Sequence, residues 1–249
     1  MKAMILAAGL GRRLRPLTDD RPKALVEVAG STLLEITLRR LQQFGVGEVI
    51  VNVHHFADMV VDYLTQHDNF GMRIEISREE VLLDTGGGLK KAAWFFLDGY
   101  GGSDEPFILH NVDVLSTIDL DRMVKFHRQN QALATLAVQE RKTSRYLLFD
   151  GRNTLCGRRA GRDQGDEIVR PSPETQALAF SGVHVISLKL LSKMTEDGVF
   201  SIISSYLRLT GEGEKILGFC ADEYYWRDLG RPENLEQAAQ DVKRQAIRI

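Results

Sequence analysis

Residues 4–23 read MILAAGLGRRLRPLTDDRPK. An apolar run from Met4 to Ala8 stops at Gly9, and Gly11 follows two positions later. A short apolar run ending on glycines reads as a buried strand passing into a tight loop. The loop then carries Arg12, Arg13, Arg15, Arg21 and Lys23, with Pro16 and Pro22 stiffening it. Glycine lets a backbone approach phosphate oxygens closely, and cationic side chains neutralise their charge. The stretch points to a strand that delivers a nucleoside triphosphate loop at its carboxyl end.

Two familiar phosphate motifs do not fit it. The P-loop needs a Lys-Ser/Thr pair after its last glycine, and none is present. The dinucleotide fingerprint needs a third glycine three residues after the second, where this chain has Leu14. A bare Gly-x-Gly is also explained by a tight strand-to-helix turn.

Outward from this loop, strand and helix patterns alternate. Residues 2–7, 48–53, 72–77, 106–111 and 133–139 read as strands, and residues 32–44, 57–66, 88–97 and 120–129 as helices. In the first helix Leu34, Leu38 and Leu41 share a face and Gly45 ends the run. Asp119 is placed to cap the helix over 120–129. Repeated βα units predict an α/β fold with a mainly parallel sheet, covered by helices on both faces. Ligands of such sheets bind beyond the carboxyl ends of the strands. The second half is less regular. Strands are expected over 145–150, 179–187, 215–220 and 224–227, with a polar loop or hairpin rim over 151–167. Residues 188–210 read as a helix broken near Gly198, and Pro232 opens a last helix over 232–247. No linker is visible, so residues 1–249 read as one domain, about 1–115 for the nucleotide and about 116–249 for the acceptor.

Composition narrows the partners. The 249 residues are 43% hydrophobic, enough for one substantial core. Formal net charge is −2, so no global basic field invites nucleic acid. The histidines show no metal-ligand spacing, and Cys156 and Cys220 form no CxxC pair, as expected in a reducing cytoplasm. The first apolar stretch is too short for a signal-peptide core, and no run reaches transmembrane length. No hexapeptide repeat follows the core, so no appended β-helix is expected.

Three more stretches carry chemistry. In FILHNVDVLS (107–116) Asp113 follows an apolar strand, and a carboxylate at a strand end facing a phosphate loop is a natural Mg²⁺ ligand. In YYWRDLGRP (224–232) Asp228 is a second such carboxylate, or an ordinary charge near a helix start. In EEVLLDTGGG (79–88) three glycines before a helix are either a flexible turn or a backbone seat for a flat base.

Gly9-x-Gly11-x-Arg13-Leu14-x-Pro16-x-Thr18 followed by Pro22-Lys23 resembles the signature of sugar-1-phosphate nucleotidylyltransferases. Asn111-Val112-Asp113 is similar to the family's Asn-Gly-Asp, with valine in place of glycine, and Trp226-x-Asp228-x-Gly230 matches its Trp-x-Asp-x-Gly. The segment Asp84-Thr85-Gly86-Gly87-Gly88 resembles the subgroup of N-acetylmuramate-1-phosphate uridylyltransferases and related mannose-1-phosphate guanylyltransferases. The resemblance spans nearly the whole chain. It implies a Rossmann-like nucleotidyltransferase fold and a reaction of sugar 1-phosphate with NTP, giving NDP-sugar and pyrophosphate. It implies that Ala8, Gly9, Gly11 and Arg12 cradle the triphosphate, that Arg13 and Lys23 bind phosphates and act catalytically, and that Asp113 and Asp228 hold Mg²⁺. Thr85, Gly86, Gly87, Gly88 and Asn111 would meet the nucleotide. Tyr146, Glu167, Ser181 and Gly182 would line the sugar-phosphate site, although the family's Glu-Lys-Pro element is replaced here by Glu167 to Pro171. The expected protein is cytoplasmic, monomeric or a small homo-oligomer, with UTP and N-acetylmuramate 1-phosphate or a related hexose 1-phosphate as substrates. Alternatives are GTP with mannose 1-phosphate, CMP transfer to a phosphorylated alcohol such as phosphocholine, and a silent nucleotide-sugar sensor.

Overall fold

The computed structural model describes residues 1–98, 105–159 and 165–247. In chain order its strands are β1 (Lys2–Leu6), β2 (Glu27–Val28), β3 (Ser31–Thr32), β4 (Glu48–Val53), β5 (Arg73–Arg78), β6 (Phe107–Asn111), β7 (Val114–Ser116), β8 (Ala134–Gln139), β9 (Tyr146–Phe149), β10 (Leu155–Arg159), β11 (Asp166–Ile168), β12 (Gln176–Ile186), β13 (Ile216–Cys220) and β14 (Trp226–Asp228). Its helices are α1 (Leu33–Gln43), α2 (Ala57–Gln66), α3 (Asp84–Lys91), α4 (Ala93–Leu97), α5 (Leu120–Gln129), α6 (Lys189–Lys193), α7 (Ile202–Gly211) and α8 (Pro232–Lys243).

Strands β5, β4, β1 and β6 pair in parallel, in that spatial order. The long strand β12 then runs antiparallel to β6 and β8 and, through its first residues, to β9. Beyond β9 the sheet continues antiparallel through β10 and β11, while β13 pairs in parallel with β8. The sheet is thus mixed, parallel where it begins and largely antiparallel where the acceptor half was expected.

The period-2 alternation of strand side chains divides the core between two faces. Ala3 and Ile5 of β1 pack with Leu34, Leu38 and Leu41 of α1 and with Met123 and Leu235 of α5 and α8. Met4, between them, packs on the opposite face with Phe95, Phe96 and Tyr206 from α4 and α7. Helices therefore cover both faces, as the unbroken apolar character of β1 and β4 requires. Local signals hold where the chemistry is specific. The Asp119 side chain accepts from Arg122 N–H at 2.9 Å and caps α5, and Pro232 opens α8.

The structure sharpens these expectations. The helix expected over 88–97 starts four residues earlier, at Asp84, and is interrupted at Ala92. Of the two readings of 151–167, a polar loop or a hairpin rim, the fold takes the second: β10 and β11 pair antiparallel, with residues 160–164 outside the described residues. Strand β7, too short for a periodic signal, is not among the expected strands; it pairs with β14, which falls at Trp226–Asp228 against an expected 224–227, in a separate two-stranded ribbon. The break near Gly198 is real: α6 and α7 flank it, and Gly198 has φ +73°.

Candidate active site

The opening loop is pinned from inside. Gly11 adopts φ +63°, where a Cβ would be strained and would stand 2.8 Å from Thr18 Cγ2. Thr18 is buried and donates its hydroxyl to the Gly11 carbonyl at 3.0 Å. Leu14 is also fully buried. These anchors leave Arg12, Arg13 and Arg15 outside, where side chains can meet a ligand. Lys23 turns inward instead and forms a charge-assisted hydrogen bond with Asp113 Oδ2.

Beside this loop lies a cavity of about 340 Å³ between Ala8, Gly9, Asn52, Glu79, Thr85 and Asp113. One hydrogen-bond chain shapes its back wall. Ala7 N–H donates to Asn52 Oδ1 at 2.7 Å, and Asn52 Nδ2 donates to Glu79 Oε1 at 2.7 Å. Leu83 N–H donates to the other Glu79 oxygen at 2.9 Å. Glu79 is buried, and these N–H groups meet the requirement that a buried carboxylate be hydrogen-bonded. Neither Asn52 nor Glu79 was picked out from sequence. The available signal was a polar residue inside the apolar run EVIVNV and a carboxylate just past the end of β5.

The glycines read as either a flexible turn or a backbone seat for a base lie in the first turns of α3. Gly86 N–H donates to Phe200 carbonyl oxygen at 2.9 Å, and Gly87 N–H to the same oxygen at 3.3 Å. A Cβ at Gly86 would stand 2.3 Å from the Phe200 ring, one at Gly87 2.3 Å from Gly198 carbonyl oxygen, and one at Gly88 2.8 Å from Asn52 and Glu79. The triplet lets α3 pack against the 198–202 segment and the Asn52–Glu79 pair. Of the expected base-side residues, Thr85 and Asn111 line the cavity, while the glycines support it from behind.

The ribbon of β7 and β14 brings the two aspartates together. Asp228 lies opposite Val114, next to Asp113, and Leu229 N–H donates to the Asp113 carbonyl at 2.7 Å. Asp228 Oδ1 accepts from Gly230 N–H at 2.8 Å, and its other oxygen faces Arg13 at 3.7 Å. Gly230 sits close under that pair, since a Cβ there would stand 2.5 Å from the Arg13 guanidinium. Among the described residues no three His, Cys, Asp or Glu side chains converge as a metal cluster. Two hard carboxylates with room beside them fit Mg²⁺, which keeps water and takes further oxygens from phosphates.

A larger cleft of about 750 Å³ adjoins the first and shares Asp84, Thr85, Asn111 and Asp113 with it. Its walls come from the antiparallel half: Tyr146 of β9, Phe180 and Gly182 of β12, Trp226 of β14. The register of β12 against β8 shifts between Phe180 and His184, and Gly182 sits in this bulge with φ +75°. A bulge re-aims side chains next to a site, and here it lets β12 approach Val114 and Asn111.

Two expected acceptor residues do not line this cleft. Ser181 is fully buried and donates to Gln139 Oε1 at 3.3 Å; its carbonyl accepts from Trp226 Nε1 at 2.7 Å. It supports the wall rather than forming it. Glu167, on β11, instead accepts from Arg158 at 2.6 Å. The residues that sequence reasoning missed are the arginines. Arg141, Arg158 and Arg159 line the cleft with Arg13, and so does Arg145, whose strand start reads in sequence only as a source of backbone contacts to the sugar. In sequence they look like any solvated loop or strand rim.

Under the junction of the halves lie His110 of β6 and His184 of β12. His110 Nδ1 donates to the Asn111 carbonyl at 2.8 Å, and His184 shares a 2.9 Å hydrogen bond with Tyr206. Burial pulls the His110 pKa down to about 4 against its hydrogen bond to Asn111. Burial, then the neighbouring His110, pulls His184 down to about 3. Both are neutral in the fold at physiological pH.

Residues 2–149 match the sequence model of the family described as nucleotidyl transferase. An N-acetylmuramate alpha-1-phosphate uridylyltransferase of Caulobacter vibrioides is 36% identical over 238 residues, covering 93% of this chain and 92% of its own. A mannose-1-phosphate guanylyltransferase of Mycobacterium tuberculosis is 29% identical over 249 residues, covering 97% of this chain and 64% of its own. Among solved structures, HddC from Yersinia pseudotuberculosis, complexed with GMP-PN, superposes with a TM-score of 0.74 at 22% identity, covering 97% of this chain and 99% of its own. Among the described residues no helix is long and apolar enough to cross a membrane.

Proposed function

The chain belongs to the nucleotidyl transferase family, and we propose that it joins a nucleoside triphosphate to a sugar 1-phosphate, releasing an NDP-sugar and pyrophosphate. The observation that carries this reading is the meeting of two cavities at Asn111 and Asp113, with Lys23 held on Asp113. One cavity is walled by the glycine loop and the other by arginines, as a nucleotide and an anionic acceptor require.

The reaction is an in-line displacement. An acceptor phosphate oxygen bonds to the α-phosphorus, and the bond to the β-phosphate bridging oxygen breaks, with pyrophosphate leaving. Such transfers need positioning and charge neutralisation more than covalent chemistry. In this reading the acceptor lies in the arginine cleft and the triphosphate along Gly9 to Arg13. Lys23, at the junction, neutralises charge on the phosphates undergoing exchange. Arg13 holds the departing pyrophosphate. Asp113 and Asp228 would hold Mg²⁺, which when bound supplies further neutralisation of phosphate charge.

For the specific pair we favour UTP and N-acetylmuramate 1-phosphate. The support is the uridylyltransferase relative that aligns over nearly the full chain and the charge of the cleft. N-acetylmuramate carries a lactyl carboxylate besides its phosphate, and Arg145, Arg158 and Arg159 line the part of the cleft formed by β9 and β10. The test is pyrophosphate release with four NTPs against N-acetylmuramate, N-acetylglucosamine, glucose and mannose 1-phosphates and phosphocholine. The expected result is UTP with N-acetylmuramate 1-phosphate well above every other pair. Preference for GTP with mannose 1-phosphate would replace the specific pair. Tight NDP-sugar binding without turnover on any pair would replace the enzyme reading with that of a sensor.

A further inference from the structure

The arginines of the cleft are not equivalent. Arg158 and Arg159 are each held by a carboxylate on β11, Glu167 at 2.6 Å and Asp166 at 3.0 Å. Arg13 faces Asp228. Arg141 forms no ion pair among the described residues. Its guanidinium carbon lies 3.6 Å from the centre of the Trp226 ring, and one terminal nitrogen donates to the Phe180 carbonyl at 2.6 Å. Its Nε–H is shut off from solvent and has no hydrogen-bond partner.

Both neighbours that hold it are themselves fixed. Trp226 is tied to β12 through its indole N–H on Ser181 carbonyl, and Phe180 stands at the start of the β12 bulge. The result is a planar cation that is oriented, partly desolvated and unpaired, in the wall of a cleft that also holds Asp113 and Asp228. A buried N–H without a partner is costly, and so is a desolvated charge without a counterion. Burial lowers the Arg141 pKa while the nearby Asp228 raises it, and a guanidinium stays charged through such shifts. A guanidinium fork matches the paired oxygens of a phosphate, and stacking on an indole fixes its plane without spending its donors.

We propose that Arg141, seated on Trp226, binds the 1-phosphate of the acceptor beside the Asp113–Lys23 junction. This rests on the reading above that the acceptor is a sugar 1-phosphate. Trp226 then acts as a positioning residue through Arg141.

Initial rates of the full-length chain with both substrates varied separate the two KM values. Arg141→Gln is expected to raise the acceptor KM at least about tenfold while the NTP KM stays within about twofold, since one charged hydrogen-bonding partner of a phosphate is lost. Arg141→Lys keeps the charge without the fork and is expected to recover part of the loss. Trp226→Phe keeps an aromatic face and is expected to lie closer to wild type than Trp226→Leu. Circular dichroism and thermal midpoints establish that each variant folds. If Arg141→Gln does not fold, Arg141→Lys and the two Trp226 variants carry the same KM comparison. An unchanged acceptor KM in folded Arg141→Gln overturns the proposal and leaves the proposed function standing. A rise in NTP KM instead would assign Arg141 to the triphosphate and likewise overturn it. Absence of turnover by the wild-type chain on every pair overturns the proposed function and this inference together.

Discussion

On the proposed nucleotide side backbone forms part of the wall: Ala8 and Gly9 line the cavity, and a helix whose three glycines leave no space for a side chain packs behind it. On the acceptor side the wall is side chain: Tyr146, Phe180, Trp226 and a set of arginines on antiparallel strands and their connections. The first carries four charged side chains, Lys23, Glu79, Asp84 and Asp113. The second is broad and strongly cationic. A triphosphate common to many enzymes suits a backbone cradle, because N–H groups and glycines serve any sequence that folds there. An acceptor that differs between enzymes suits side chains, which change without disturbing the sheet. Asp113 belongs to both cavities and is the place where the comparison breaks most visibly. Asp113→Asn is expected to lower kcat by about 10³-fold or more, a loss of about 4 kcal/mol of transition-state stabilisation. Pyrophosphate release measures it, with circular dichroism to show the fold intact; full activity would remove Asp113 from the reaction.

The same contrast explains how much was legible in the sequence. The parallel half was readable because buried strands and amphipathic helices have distinct periods, as Met4, Ile5 and Leu34 to Leu41 illustrate. The glycine loop was readable because glycine and proline change what the backbone can do. Gly86 to Gly88 were singled out from sequence, and in the fold they pack α3 against the 198–202 segment. Glycine reports close approach, but not whether the neighbour is a base or a phenylalanine ring. Asp113 and Asp228 stand out only with the resemblance, since nothing in 114 intervening residues says that β7 and β14 pair. Arg141, Arg158 and Arg159 were invisible because an arginine in a cleft and one in solvent share the same local sequence. Only the pairing of β9, β10 and β12 distinguishes them.

The seam between the halves, β6 against β12, offers a second test. His110 and His184 stay neutral in the fold until about pH 4 and about pH 3, whereas in the unfolded chain they take up protons below about 6.5. Their folded pKa values are depressed, so their contribution to stability is fully present above pH 6.5 and is lost as pH falls from there toward 4, where the unfolded state binds more protons. Each removes up to about 1.4 kcal/mol per pH unit in that window, so the pair is expected to lower stability by about 2 kcal/mol between pH 6 and pH 5. Urea unfolding at the two pH values measures this. A flat profile would show that the histidines open to water without unfolding.

Gly87→Ala strikes the nucleotide side at its tightest contact. The new methyl would stand 2.3 Å from a backbone oxygen of Gly198, an atom that cannot rotate away. Overpacking of this kind is expected to cost about 2 kcal/mol and to lower the thermal midpoint by several degrees. The 198–202 segment must shift, and it leads into Ser201, Ile202 and Ile203, which line the acceptor cleft. Both KM values are therefore expected to rise. A change in NTP KM alone would mean that the two walls move independently and that the α3 contact does not couple them.

The acceptor rim gives the smallest effect and the finest distinction. Glu167 sits on an exposed strand and holds Arg158, both about 44% exposed. An ion pair of that kind contributes little to folding, so Glu167→Gln is expected to leave the thermal midpoint within about 2 °C. Its effect lies in the cleft's field instead. Releasing Arg158 adds one net positive charge at the rim, and the KM of an anionic acceptor is expected to fall by up to about threefold at low salt. In ~0.3 M salt, where the screening length shrinks to about 6 Å, that gain is expected to vanish. Loss of a residue that touches the sugar behaves in the opposite way: KM rises, and salt does not restore it. A salt-insensitive rise in acceptor KM for Glu167→Gln would thus return Glu167 to the acceptor's direct contacts. That outcome would place sugar recognition on β11, outside the cleft wall formed by β9, β12 and β14.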